Sequence, residues 1–508
     1  MAFNLFAATG VSNYATDTFI SVLFVIATVA TLAVAVWLLV KFANLSKGQA
    51  NLVKILAIIV GVGVILRIVF ALLITGNRMD HSIIYSAITH WTKYGPKTYI
   101  ERNYFKAGEY LYPISFYVFG FLGGTAVNLG LDQSSVAVQL IVKLPLIIAD
   151  VFTAIVIYKA GKRFINEYVG VVLAAIVMIC PVFIFASSVW GSVYSLFLPF
   201  VVASFYFLAT KKYVFSIALY ALSMLVVREA SYLFPIFLIY YAYACVRSVV
   251  DYKNSGNKDD LSNVIAIPAT VIVMTIVNYL ICLPITASHS GGNFFSYVYE
   301  IYLNPLVNFR YFANNSLSIY NILMKGGVGV DILFPNVIFT VLFAVVVTAF
   351  AAVIYLARRN RAVVALGGAY LFFLLNTCYV DFSAPAVVLI LPLLLLAFVF
   401  IKDKRILKIF AAESVLAIIN MSAVFVYGGY YNSLDPSAFS TNNYTGTPIM
   451  ANTVSGLVIS IVLSVLSIAV CLYFTKVVMD IAMSNKCRYL GGNDRIDFGS
   501  AIKDFIRL

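Results

Sequence analysis

Asp80 is the residue of this sequence best placed to act as a general base. It directly follows the second long apolar stretch, in the segment GNRMD, where a span leaves the membrane. A carboxylate at that edge is partly desolvated and still reaches a polar acceptor, as a group that removes a proton from a hydroxyl must. The alternative is an ordinary interfacial carboxylate that pairs with Arg78 or with a helix amino terminus.

Further charged residues lie inside or at the rim of apolar stretches, where charge is costly and is often retained for function. Arg67 lies about two turns from the outer end of the second stretch, and Arg228 and Glu229 interrupt another. A tight turn between two spans is the alternative for the Arg-Glu pair. Lys143 and Asp150 are seven residues apart on one helical face, and either line a polar cavity or satisfy a neighbour.

The histidines and cysteines do not follow a metal-binding or disulfide pattern. His81, His90 and His289 are scattered, and His81 is interpreted as an interfacial side chain. The 6 cysteines lack CxxC spacing, and the outer loops contain no DxD motif. We therefore expect neither a metal ion nor another cofactor.

The composition restricts the chain to a membrane environment. Of its 508 residues, 62% are hydrophobic and only 11% are charged, which excludes a soluble globular domain. The net charge of +13 does not indicate nucleic-acid binding, because the basic residues lie at the ends of apolar runs instead of in a polar patch.

The apolar stretches predict about thirteen membrane-spanning helices in an all-α polytopic protein. They cover 17–42, 52–75, 135–159, 167–187, 191–210, 213–228, 230–247, 263–286, 334–357, 362–378, 384–401, 406–427 and 453–476. Most of the 34 Lys and Arg residues lie in alternate joints, so the positive-inside rule predicts an outer amino terminus and an inner carboxyl terminus. The apolar stretch 110–124 is interpreted as an interfacial helix, because a span there would invert the later joints.

Three outer segments, 76–134, 287–333 and 428–452, are large enough to hold a site, and the first is rich in amphipathic helical pattern. We expect residues 1–50 to contribute an additional amino-terminal span and residues 51–400 to form the core. Residues 401–508 then supply the last spans and an inner tail.

The order of motifs resembles the bacterial GT-C membrane glycosyltransferases between about Arg67 and Pro392. After Arg67 and Asp80, the segments HWTKYGPKTYI and YLYPISFYVFG are similar to the first outer loop of that family. Weaker similarities are KLPLIIAD (143–150), WGSVYSLF (190–197), REASYLFP (228–235) and NSLSIYNIL (315–323). Two motifs depart from the family: Ser192 and Tyr194 replace residues of its Trp-Gly-Gln span start, and YVDFSAP replaces a late His-Glu motif.

The resemblance implies a GT-C-like fold with Asp80 as catalytic base and Arg228 as a contact to a lipid-linked phosphate, helped by Arg67 or Arg310. Further cavity or structural positions are Asp150, Lys143, Trp91, Tyr112, Trp190, Asn321 and Asp381.

The expected activity is transfer of a sugar, with inversion, from a polyprenyl-phosphate carrier to an acceptor hydroxyl on the outer face of a bacterial plasma membrane. The acceptor is a glycan, a lipid or a protein, and the chain contacts membrane lipids. The alternatives are a transporter or flippase of lipid-linked glycans or small polar solutes, for which we find no inverted repeat, and a polysaccharide polymerase or ligase.

Overall fold

The structure is a computed structural model of the 508-residue chain. It describes residues 14–42, 52–97, 111–257, 261–286, 315–323, 362–378, 382–431 and 454–482, together with a few isolated positions between them. Within these ranges the chain is mostly helical, and a β-bridge joins Asn315 to Ser383. The protein is thus all-α in its described part, as the sequence predicts.

The described helices follow one another through short joints. They are α1 (Tyr14–Phe42), α2 (Leu52–Leu73), α3 (Arg78–Tyr94), α4 (Pro113–Asn128), α5 (Val136–Phe164), α6 (Glu167–Ile179), α7 (Pro181–Ile184), α8 (Tyr194–Ala209), α9 (Tyr213–Ser223), α10 (Phe234–Ser255), α11 (Ser262–Thr286), α12 (Tyr320–Leu323), α13 (Ala362–Cys378), α14 (Leu391–Ile401), α15 (Lys404–Tyr431) and α16 (Val454–Ala482). A π-helical segment, Phe185–Trp190, extends α7, and 3₁₀ segments Arg228–Leu233 and Ala384–Leu389 precede α10 and α14.

Eight of these helical stretches are long and apolar enough to cross a membrane, and the chain is an integral membrane protein. The bent pair formed by α6 and the segment Pro181–Trp190 would add a ninth span. The helices α8, α9 and α13 are shorter apolar helices. Each predicted span coincides with one of these elements, except 334–357, which lies outside the described residues. The stretch predicted as a helix at 110–124 forms α4.

The long helices run between two ends of the bundle. At one end, the Asp80 end, the backbone N–H of Asn77 donates to the Trp190 carbonyl at 3.0 Å. At the opposite, basic end, Arg405 bridges Asp403 and Asp480 at 2.8 Å and 2.6 Å, and this joins the start of α15 to the end of α16. The ring contact between Phe164 and Phe400, 5.0 Å between centroids, places the carboxyl ends of α5 and α14 there too.

Burial differs among the helices in the way a membrane bundle requires. Nearly every side chain of α14 is buried, because it lies between α13, α15 and α5. In contrast, α2 and α11 expose large apolar side chains such as Ile58, Ile65 and Ile272, which suits contact with lipid. Close packing of α5 on α6 depends on glycine: a Cβ at Gly161 would lie 2.6 Å from the Cα of Gly170.

Candidate functional site

Asp80 lies in the first turn of α3, at the end of the bundle where α2 finishes. Its Oδ2 accepts a hydrogen bond of 2.6 Å from the indole Nε1 of Trp190, and the side chain keeps partial exposure. Burial raises the pKa of this carboxyl from 3.8 to about 6, and the hydrogen bond from Trp190 opposes part of that rise. A carboxylate with such a pKa is ionised at neutral pH and accepts a proton readily.

The backbone that presents Trp190 to Asp80 requires two glycines. Gly191 ends the π-helical segment in a left-handed conformation, φ 77°, and Gly76 in the link before α3 has φ 121°. A Cβ at Gly76 would clash with the His81 ring and lie 2.8 Å from the Trp190 carbonyl oxygen. At Gly76 only glycine fits both the backbone conformation and the available space, and at Gly191 the left-handed conformation favours glycine. These two positions therefore determine how closely α3 approaches the π-helical segment.

His81 is buried behind Asp80, with 4% of its side chain exposed. Its ring packs edge-on against Tyr85, and both ring nitrogens are without a hydrogen-bond partner. Burial, with the nearby Lys143 charge, lowers the pKa of the imidazole to about 3, so the ring is neutral at physiological pH. The interpretation of His81 as an interfacial side chain is therefore corrected, because it lies in the protein interior. No group of three or more potential metal ligands occurs among the described residues.

Lys143 and Gln139, one turn apart on α5, hold the carboxyl end of α2 in place. The Lys143 Nζ donates to the carbonyl oxygens of Ile74 at 2.6 Å and Ser188 at 2.7 Å, and the side chain is fully buried. One turn away, the Gln139 amide donates to the Ala71 carbonyl at 2.8 Å. These bonds tie the carboxyl end of α2 and the π-helical segment to α5, so Lys143 positions the elements that carry Asp80 and Trp190.

Arg67 and Asp150 form a buried ion pair instead of lining an open cavity. The Arg67 Nε lies 2.8 Å from Asp150 Oδ2, and the Arg67 side chain has no exposed surface. The same guanidinium donates to the carbonyls of Met178 at 2.6 Å and Val177 at 3.0 Å. This set of bonds joins α2, α5 and α6. A phosphate could not contact Arg67 without opening this packing, so we correct its proposed role from phosphate contact to helix association.

Arg228 lies in the 3₁₀ segment at the Asp80 end, where it belongs to a second polar cluster. Its Nε lies 3.1 Å from Glu229 Oε1, which also accepts a 2.9 Å hydrogen bond from the Tyr194 hydroxyl. Ser383 reaches the same hydroxyl at 3.4 Å. The Arg228 side chain is 13% exposed, against 4% for Glu229. The cluster therefore holds a cation at the rim with its carboxylate behind it.

The two clusters are joined by one short segment and by α4. Trp190, which contacts Asp80, and Tyr194, which contacts Glu229, lie on either side of the short non-helical link that begins at Gly191. At its amino end α4 bonds to the joint just before Arg228, where the Ser115 hydroxyl donates to the Val226 carbonyl at 2.7 Å. Because α4 also packs along α3, Asp80 and Arg228 lie at the same end of the bundle.

The other predicted positions have structural contacts or lie outside the described residues. Trp91 packs on Gly120 and Gly124, where added Cβ atoms would lie 3.0 Å and 2.6 Å from its ring, so it joins α3 to α4. The Tyr112 hydroxyl donates to the Ile301 carbonyl at 3.3 Å. Asn321 is buried and donates to Ser316 and Ser464. Arg310 and Asp381 lie outside the described residues.

Two partners of the site were not singled out from the sequence. In the sequence, Glu229 is only half of an Arg-Glu pair and Tyr194 only a departure from a family motif, whereas in the structure the two side chains bond to each other. The intramembrane Glu413 is a further residue with a signal in the sequence, because it is a lone acidic residue within an apolar stretch. No model of a known protein family matches the chain, and no curated protein matches it.

Proposed function

We propose that the chain is a GT-C-type glycosyltransferase that moves a sugar from a polyprenyl-phosphate carrier to an acceptor hydroxyl at the Asp80 end of the bundle. The observation that carries the proposal is the setting of Asp80. It combines partial exposure, a pKa near 6 and a fixed orientation from Trp190 at the membrane edge. Positive-inside topology predicts that this end faces outwards.

In the proposed reaction, the acceptor hydroxyl loses its proton to Asp80 while its oxygen attacks the anomeric carbon. Trp190 engages Oδ2, which leaves Oδ1 as the oxygen that receives the proton. The bond between the anomeric carbon and the phosphate oxygen breaks, and its electron pair leaves with polyprenyl phosphate. Attack opposite the leaving group inverts the anomeric configuration.

Arg228 is the described cation that best suits stabilisation of the leaving phosphate. It lies at the rim at the same end as Asp80, and Glu229 and Tyr194 restrict its orientation. An arginine pairs with a phosphate strongly where water is partly excluded. Arg310 stays a prediction as a second contact. Arg67 has no part in the proposed site, because it is fully buried with Asp150.

The test is a transfer assay in proteoliposomes. Short-chain polyprenyl-phosphate mannose and glucose serve as donors and alkyl glycosides as acceptors, with both transferred sugar and released polyprenyl phosphate measured. The wild-type chain is expected to release polyprenyl phosphate together with an inverted product, and Asp80→Asn is expected to lose this activity. Asp132→Asn is the matched control, because Asp132 is an exposed carboxylate between α4 and α5 that bonds to Ser134.

Full activity of Asp80→Asn would refute the proposed base. Movement of the intact lipid-linked sugar across the bilayer, without release of polyprenyl phosphate, would instead identify a flippase.

A further inference from the structure

Glu413 is a fully buried carboxyl group without a hydrogen-bond partner. It lies in α15, nine residues after the start of the helix, and none of its surface is exposed. Both carboxyl oxygens lack a hydrogen-bond partner. At about 1.5 Å of rise per residue, this position is about 14 Å into the span, near its middle. An ionised carboxylate is strongly disfavoured in such a position.

Among the described residues, the helices packed against α15 place no basic side chain at the level of Glu413. The described elements in contact with α15 include α1, α7, α14, α16 and the 3₁₀ segment Ala384–Leu389. Of these, α7, α14 and the 3₁₀ segment consist of uncharged residues. The charged residues of α1, α15 and α16 lie toward helix ends: Asp17, Lys41, Lys404, Arg405, Lys408, Lys476 and Asp480.

A stripe of small polar residues, the polar seam, lies on α16, which packs against α15. It consists of Ser460, Ser464, Ser467 and Cys471, which are all buried and follow one face of the helix at three- and four-residue spacing. Cys471 lies within electrostatic reach of Glu413. The Ser467 hydroxyl is fully buried and has no hydrogen-bond partner. The seam therefore contains an unsatisfied hydroxyl one helical turn from Cys471.

The polar seam continues to the Asp80 end of the bundle. The Ser464 hydroxyl accepts a 2.9 Å hydrogen bond from Asn321, whose amide also donates to the Ser316 carbonyl at 2.7 Å. On the α13 side, Thr377 lies within hydrogen-bonding range of the Cys471 thiol, and its carbonyl accepts from the Ile319 backbone at 2.8 Å. Polar groups thus extend from the largely buried segment 315–323, at the Asp80 end, to the middle of the membrane.

We propose that Glu413 is an intramembrane proton-binding site that exchanges its proton with the Asp80 end of the bundle through the polar seam. A proton needs no cavity, and it satisfies a carboxyl group that no described cation reaches. Hydroxyl and thiol groups both donate and accept hydrogen bonds, so a row of them can relay a proton. The proposal does not depend on glycosyl transfer.

The test is infrared difference spectroscopy of the full chain in nanodiscs. Subtraction of the Glu413→Gln spectrum from the wild-type spectrum is expected to show the carbonyl band of a protonated carboxylic acid. If Glu413→Gln does not fold, Glu413→Asp serves, because it keeps the acid and moves its band. Transfer into D₂O is expected to shift the wild-type band as the proton exchanges.

The route is tested with two variants on the same face of α16. Ser467→Val is expected to slow the exchange about tenfold, because it removes from the path a hydroxyl group that relays the proton. Thr475→Val, one turn beyond Cys471 toward the basic end, is expected to leave the rate unchanged. An effect of Thr475→Val without an effect of Ser467→Val would overturn the route. A missing carboxylic acid band, or its removal by sodium at constant pH, would overturn the proton site.

Discussion

Replacement of Trp190 by Phe tests how the site controls the basicity of Asp80. The variant keeps an aromatic ring beside the carboxyl group and removes the Nε1 donor that lies 2.6 Å from Oδ2. That donor stabilises the ionised carboxylate and lowers its pKa, which burial raises to about 6. Its loss must therefore move the pKa of Asp80 upwards.

The size of the shift follows from the strength of the bond. A hydrogen bond to a charged group contributes about 1.5–3 kcal/mol, and one pKa unit corresponds to about 1.4 kcal/mol, so the pKa rises by about 1–2 units. A general base acts in its ionised form, so activity is lost as the pH falls through this pKa. At pH 6 the wild-type group is about half ionised, and the variant would be about 5- to 50-fold less active. At pH 9 the two rates should agree within about twofold.

The assay is the pH dependence of kcat/KM between pH 5 and 9 in the transfer reaction. Trp91→Phe is the control, because Trp91 packs α3 on α4 through Gly120 and Gly124 without a hydrogen bond to Asp80. Its acidic limb is expected to stay near pH 6. An acidic limb of Trp190→Phe that stays at the wild-type position, or moves to lower pH, would refute the role assigned to the indole.

Other predictions concern stability and metal dependence. Arg67→Met should lower the free energy of unfolding by about 3–5 kcal/mol, because it leaves Asp150 buried without its cation. The double variant Arg67→Met with Asp150→Leu should recover most of the lost stability, as measured by thermal melting. Gly76→Ala should destabilise the protein more than Gly95→Ala, which costs about 1 kcal/mol. Both glycines have a positive φ, but an added Cβ is obstructed only at Gly76. Equal melting temperatures of the two variants would contradict this. EDTA should leave transfer unchanged, because the proposed chemistry uses a carboxylate and an arginine, and restoration by Mg²⁺ of an EDTA-inhibited reaction would contradict it.

The sequence predicts the membrane helices well because their length and hydropathy are local properties. The break at Arg228 separates α9 from α10, and the paired basic clusters at Lys162 and Lys211 lie at alternate joints as the positive-inside rule requires. Asp80 could be selected as a candidate for a similar reason, since a carboxylate at the end of an apolar stretch is visible without tertiary information.

The partners of these residues could not be predicted because they depend on how distant helices pack. Arg67 and Asp150 are 83 positions apart, and Asp80 and Trp190 are 110 apart, so no periodic pattern relates them. Its position inside a span predicts a functional role for Arg67, whereas in the structure Asp150 neutralises the Arg67 charge. The Glu229–Tyr194 bond likewise depends on the turn at Gly191.

A structure of the protein bound to a non-hydrolysable polyprenyl-phosphate sugar analogue would test most directly whether Asp80 and Arg228 form one site. The account predicts the phosphate within hydrogen-bonding distance of the Arg228 guanidinium and the anomeric carbon facing Asp80, with the lipid tail along the outside of the helices. A phosphate at the basic end of the bundle, or a ligand that contacts neither residue, would contradict it.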